Sequence, residues 1–287
     1  MRAGPVLRGG ARCPSSLSEP RGRPLVLPTP VPENVWSVGS ALSVRGLVKR
    51  FGAKTAVAGV DLDVPLGACF GLVGPNGAGK TTTLSIASGL LRPDAGRVTV
   101  LGQDLWSNLV SAKQVLGIMP DGARLFDRLT GAQLVTYAGL LRGMDCRTVA
   151  QRREELLDVL GLTADAGTLV VDYSAGMLKK ITLASALVHA PRVLLLDEPF
   201  EAVDPISAAV IRDILERFTA GGGTVVVSSH VMDLVERMCD HVAIIADGVV
   251  RAAGTLSEVR GAGTLEERFV ELVGGMPARA ELPWLLS

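Results

Sequence analysis

The chain has 287 residues, 48% of them hydrophobic, and its 29 Lys plus Arg balance 29 Asp plus Glu, leaving no net charge. That length accommodates one α/β domain with a small appendage, and the neutral balance argues against a polyanionic partner such as DNA. The apolar runs, VLLL from Val193 and VVV from Val225, fall far short of the roughly 20 residues of a spanning helix. The apolar excess therefore suits buried parallel strands or a docking face. Cys13, Cys69, Cys146 and Cys239 show neither a paired metal spacing nor a dense disulfide framework, which fits a reducing compartment.

Residues 1 to 40 are rich in Pro, Gly, Ser and Arg, and prolines break PLVLPTPVP before any secretory segment is built. A disordered extension is expected there. A basic tail at an anionic surface and a start codon assigned too far upstream are the alternatives. From Leu42 the pattern is regular. Val60, Leu62 and Val64 alternate with Asp61 and Asp63, as in a half-buried strand, so a small antiparallel sheet is predicted to lead the main domain, residues 41 to 250.

ACFGLVG then reads as an apolar strand, and KTTTLSIASGLL as a helix. Between them lies GPNGAGKTT, which fits G-x-x-x-x-G-K-[ST] at Gly74, Gly79, Lys80 and Thr81. A strand before the motif and a helix after it are the context a phosphate loop requires. Glycines let successive backbone N–H groups turn toward one anion, and the helix adds its positive N-terminal dipole. Gly74, Pro75, Asn76, Gly77, Ala78, Gly79, Lys80, Thr81 and Thr82 are the predicted nucleotide contacts. Lys80 is to reach the β- and γ-phosphates and Thr81 to ligate Mg²⁺.

Residues from about 125 to 190 read as an inserted helical subdomain, with Leu134, Tyr137, Ala138 and Leu141 on one face and Leu156, Leu157 and Leu160 on another. Parallel α/β architecture resumes with RVLLLDEP and GTVVVSSH, separated by the helix-like PISAAVIRDILERFTA. Asp197 is the candidate to hold Mg²⁺ through water, and Glu198 to orient or deprotonate the attacking water. On their own the two acids would be a solvated pair capping a strand. Beside a phosphate loop they complete a hydrolytic site. His230, at the end of the second strand, is placed to sense a γ-phosphate, whereas His189 and His241 are assigned structural roles. Residues 251 to 287 are expected to form a short C-terminal tail.

With these motifs in order, residues 42 to 275 resemble the ATP-binding subunit of ATP-binding-cassette (ABC) transporters. The resemblance implies a P-loop NTPase core with a mostly parallel sheet, an N-terminal antiparallel β subdomain and an inserted helical subdomain. YSAGM stands where that family carries its signature motif. By resemblance, Ser174 and Gly176 hold the γ-phosphate of an ATP bound to the opposite subunit. Ser174 also suits a plain helix N-cap. Phe51 stands where the family stacks an aromatic on adenine, and an ordinary core Phe is the alternative.

Two departures stand out. Asp121 occupies the place of a Gln that touches Mg²⁺ or the water, and an acid there can still ligate a hard metal through oxygen. Ala175 and Met177 replace the usual signature residues. The resemblance implies an ATPase, with ATP and Mg²⁺, that works as a homodimer or heterodimer on the cytoplasmic face of the membrane. It would drive a separate permease docked near Asp121 to Phe126, with export favoured by the short tail. A soluble clamp acting on ribosomes or DNA is the rival. A P-loop kinase or GTPase leaves YSAGM and His230 without a role.

Overall fold

The computed structural model describes residues 39–122 and 124–274. All but Gly39 and Ser40 of the expected extension lies outside them, as does the tail beyond Gly274. The elements run β1 (Ser40–Phe51), β2 (Lys54–Pro65), β3 (Cys69–Val73), α1 (Lys80–Ala87), β4 (Ala95–Val100), β5 (Gln103–Asp104), α2 (Leu109–Val115) and β6 (Leu116–Met119). The helical insertion follows as α3 (Gly131–Leu141), α4 (Cys146–Val159) and α5 (Ala175–Leu187). The chain then continues through β7 (Val193–Asp197), α6 (Pro205–Ala220), β8 (Thr224–Ser229), α7 (Met232–Met238), β9 (His241–Ala246), β10 (Val249–Thr255), α8 (Leu256–Arg260) and α9 (Leu265–Val273).

Among the described residues the strands form two sheets, an antiparallel one in the order β2-β1-β4-β5 and a larger one in the order β10-β9-β3-β8-β7-β6. All pairings in the larger sheet are parallel except β9 with β10. Its central strands β3, β7 and β8 are buried at every position, because both faces of the sheet are covered there. On β7, Val193 and Leu195 join the core shared with β1, β2, β4 and α1, while Leu194 and Leu196 join the core shared with α5, α6 and α7. The period-2 alternation of a strand thus feeds two cores at once. Val60, Leu62 and Val64 are all buried on β2, as their alternation predicts.

Two expectations are corrected. On α3, Leu134 is buried and Ala138 packs on the core, but Tyr137 and Leu141 are exposed, the latter by 66%. The apolar stripe of α3 is therefore narrower than its composition suggests. The boundary expected at residue 250 falls inside β10, and Val259 and Leu265 are buried beyond it. Residues 251–274 consequently belong to the α/β body. Cys69, Cys146 and Cys239 are free, and the buried Cys69 and Cys239 sulfurs lie 3.6 Å apart. The Cys69 contact and burial push the Cys239 thiol well above its ordinary pKa.

Candidate functional site

The fully buried strand β3 delivers the chain to Gly74, and the loop re-enters regular structure at Lys80. Gly79 has φ +105°, and a Cβ on it would collide with the Ala56 carbonyl oxygen, so only glycine fits this turn. The loop is braced from outside. Ala78 N–H donates to Pro75 O at 3.1 Å, and Gly248 N–H, from the β9–β10 turn, donates to Ala78 O at 3.0 Å. Lys80, only 6% exposed, donates through Nζ to Gly74 O at 2.8 Å and Pro75 O at 3.3 Å, and lies 3.8 Å from Glu198 Oε1.

Asp197 and Glu198 sit at the C-terminal end of β7, beside that of β8. Asp197 is 3% exposed, and its Oδ1 accepts a short hydrogen bond from the Ser228 hydroxyl. Ser228 Oγ also accepts from Glu198 N–H at 3.0 Å. The Glu198 carboxylate is flanked on one side by Lys80 and on the other by His230, whose Nδ1 lies 3.1 Å from Oε2. His230 stands one position past the last residue of β8.

A cleft of about 410 Å³ opens over this group. Its walls include every predicted loop residue from Asn76 to Thr82, together with Phe51, Asp121, Glu198 and His230. Gly74 and Asp197 are buried beneath it, and the exposed Pro75 is not part of its wall. Phe51 is 51% exposed at the end of β1, which excludes the core-Phe alternative. Asp121 points to Lys179, with Oδ1 3.4 Å from Nζ, and Lys179 also donates to the Glu198 carbonyl at 2.7 Å. A second pocket of about 280 Å³, floored by Met119, Leu125 and Leu178, adjoins the cleft across Asp121 and Glu201.

Ser174 and Gly176 lie apart from this cleft. Ser174 caps α5, its Oγ accepting from Met177 N–H at 3.3 Å. Gly176 is buried against the start of α6. A Cβ on it would stand 3.0 Å from Asp204 Oδ2 and 3.3 Å from Ser207 Oγ. Asp204 in turn caps α6, with Pro205 at the first position. The Ser207 hydroxyl, then the Ser207 and Ile206 N–H groups, hold the Asp204 carboxyl below the usual carboxylate range.

Four residues escaped the sequence reading. Lys54 and Glu201 line the cleft, while Ser228 and Lys179 hold its acids. Two consecutive serines ending an apolar strand were the available signal for Ser228. Lys54 is placed by its pairing with Phe51 across the β1–β2 turn, which periodicity does not reveal.

These donors suit a nucleoside triphosphate. The left-handed Gly77 and Gly79 turn the loop backbone toward the cleft ahead of α1, and Lys80 supplies a cation beside it. The metal candidates Thr81, Asp197 and Asp121 offer only oxygen, as a hard cation requires. Among the described residues no three His, Cys, Asp or Glu side chains converge as a cage. A cation here would complete its shell from phosphate oxygens and water.

A family model described as ABC transporter matches residues 57–201. The linearmycin resistance ATP-binding protein of Bacillus subtilis is 36% identical over 218 residues, covering 76% of this chain and 70% of that protein. The daunorubicin/doxorubicin resistance ATP-binding protein of Streptomyces peucetius is 34% identical over 250 residues, 86% and 74% of the two chains. The Nod factor export ATP-binding protein I of a Rhizobium strain is 33% identical over 241 residues, 83% and 78%. A solved ATP-binding subunit of an ABC transporter superposes with a TM-score of 0.77 at 27% identity, covering 82% of this chain and all of that one. A dimeric cassette in a post-hydrolysis state, bound to ADP and phosphate, superposes with a TM-score of 0.70 at 22% identity, covering 75% and 98%, and shares the fold.

Proposed function

Since the chain belongs to the ABC transporter family, we propose that it binds and hydrolyses ATP in the cleft above Lys80 and powers export through a separate membrane-spanning permease. One observation carries the assignment to this cleft: the convergence of Lys80, Glu198 and His230 at a glycine loop that opens a helix. The relatives named for antibiotic resistance and Nod factor export favour an exporter over a clamp on ribosomes or DNA. No helix among the described residues is long and apolar enough to cross a membrane, and the relatives' names as ATP-binding proteins support a permease on another chain. The subunit then sits on the cytoplasmic face of the membrane.

Lys80 moves from the loop carbonyls to the β- and γ-phosphate oxygens, where its charge stabilises the transferring group. Glu198 accepts a proton from the attacking water, whose oxygen bonds to the γ-phosphorus as the bond to the β-bridging oxygen breaks, giving ADP and phosphate. His230 orients the Glu198 carboxylate and hydrogen-bonds a γ-phosphate oxygen. Phe51 stacks on the adenine. A Mg²⁺ ion held by Thr81 and, through water, by Asp197, with Asp121 at the rim, would neutralise phosphate charge.

Ser174 and Gly176 open a 13-residue helix and are not among the residues that line the cleft of their own subunit. This supports their service to the ATP of a second ATPase subunit, identical or not. ATP then closes a dimer, and hydrolysis reopens it. The test is the solution mass of Glu198→Gln with and without ATP, beside Ser174→Arg in the same background. A dimer formed only with ATP and abolished by Ser174→Arg is expected. An ATP-dependent dimer indifferent to Ser174→Arg would refute the cross-subunit role.

A further inference from the structure

Glu198 is a non-glycine residue at φ +47°. The left-handed region costs such a residue of the order of 1 kcal/mol or more and persists only where the surroundings impose it. Here both of its backbone polar groups are held by side chains of other elements. Its N–H donates to Ser228 Oγ on β8 at 3.0 Å, and its carbonyl accepts from Lys179 Nζ on α5 at 2.7 Å. Ser228 is fully buried and also bonded to Asp197, so that side of the clamp is rigid.

The Lys179 side differs. Its ammonium is shared with Asp121 Oδ1 at 3.4 Å, its side chain is 19% exposed, and it rides on the helix that Ser174 and Gly176 open. A charged donor on a backbone carbonyl is stronger than a neutral one. Rotating the plane of the Glu198 peptide swings its Cα–Cβ vector and therefore the carboxylate beyond it.

We infer that Lys179 is a positioning residue for hydrolysis. It fixes the Glu198 peptide in the left-handed region and so aims the carboxylate at the water. Because it sits on α5, a displacement of that helix by a nucleotide on the partner subunit is transmitted to the base of the same chain, and Asp121 steadies the ammonium between the two duties. The inference rests on Glu198 acting as the base proposed above.

The experiment takes the full-length chain as wild type, Lys179→Met, Lys179→Arg and Glu198→Gln. It measures kcat and KM for ATP, and amide hydrogen exchange in peptides covering residues 196 to 202. Lys179→Leu is the second removal should the Met variant not fold. Removing the ammonium is expected to lower kcat about tenfold, equivalent to about 1.4 kcal/mol, with KM within about twofold and faster exchange confined to those peptides. Lys179→Arg, which keeps the charge and the donor, is expected to restore both readouts. Unchanged kcat and exchange in Lys179→Met, a rise in KM alone, or a loss that Arg does not restore would overturn the inference. Wild-type turnover in Glu198→Gln would instead remove Glu198 as the base, and the exchange measurement would then decide the clamp by itself.

Discussion

His189 makes one contribution to the acid stability of this protein calculable. It sits where β6 meets the helical insertion, with Nε2 3.0 Å from the Leu116 carbonyl oxygen and 3.2 Å from Arg142 Nη1. Its Nδ1 is buried with no hydrogen-bond partner among the described residues. Burial and then the Arg142 guanidinium, with a smaller push from Arg152, lower its pKa from 6.5 to about 4 against the pull of the Leu116 carbonyl. The native state therefore holds this ring neutral, while the unfolded chain protonates it near 6.5. The stabilisation is complete above pH 6.5 and drains away as the pH falls toward 4, because the unfolded state binds the extra proton in that window. A fully shielded ring would contribute about 3.4 kcal/mol over the whole window. Partial exposure and solvent screening reduce this to about 1.5–2 kcal/mol, of which about 1 kcal/mol is gone by about pH 5. Urea denaturation of wild type and His189→Gln from about pH 7.5 to 5 reads the difference directly. The wild type should lose about 1 kcal/mol more than the variant over that interval. Parallel pH profiles would refute the argument, since they would mean the ring is protonated alike in both states.

Further outcomes concern the site and the core. Phe51→Ala should weaken ATP binding several-fold and Phe51→Trp preserve it, as equilibrium titration with a fluorescent ATP analogue will show, because an aromatic contact contributes about 0.5–1.5 kcal/mol. Asp121→Gln removes a carboxylate from the cleft and should tighten ATP binding and flatten the Mg²⁺ dependence of turnover. An unchanged rate and Mg²⁺ profile would contradict the charge argument. Leu194→Ala empties a wholly buried position on β7 and should cost about 2–5 kcal/mol in urea denaturation, with the retained activity of the folded fraction separating packing from chemistry.

Much of the site was legible because its parts are short in sequence. Gly74 to Thr82 runs without interruption from the end of β3 into the first turn of α1, and the Asp197–Glu198 pair ends a strand that announces itself by five apolar or acidic buried positions. The bounds of α6 follow from Asp204 and Pro205 at its start and Gly221 at its end. What remained hidden depends on contacts far apart in the chain. Lys179 meets Asp121 across 58 positions, and Ser228 meets Asp197 across 31; no periodicity encodes either meeting. β10 escaped because VVRAAGT carries little β-branched patterning past its first two residues and is a strand by virtue of pairing with β9.

The phosphate loop hangs from β3, and both strands that flank β3 come from the far end of the chain: Cys239, just before β9, is 170 positions beyond Cys69. The β9–β10 turn then closes over the loop through Gly248, which also accepts from Ala58 N–H at 2.8 Å. A ribosome adding about 5–20 residues per second therefore needs roughly 10–30 seconds after making the GPNGAGKTT segment before the last brace emerges. Throughout that interval the nascent chain carries the complete motif without the sheet that shapes it. A chain truncated before Gly248 therefore carries the whole motif but lacks the hydrogen bonds to Ala78 and Ala58 that brace it.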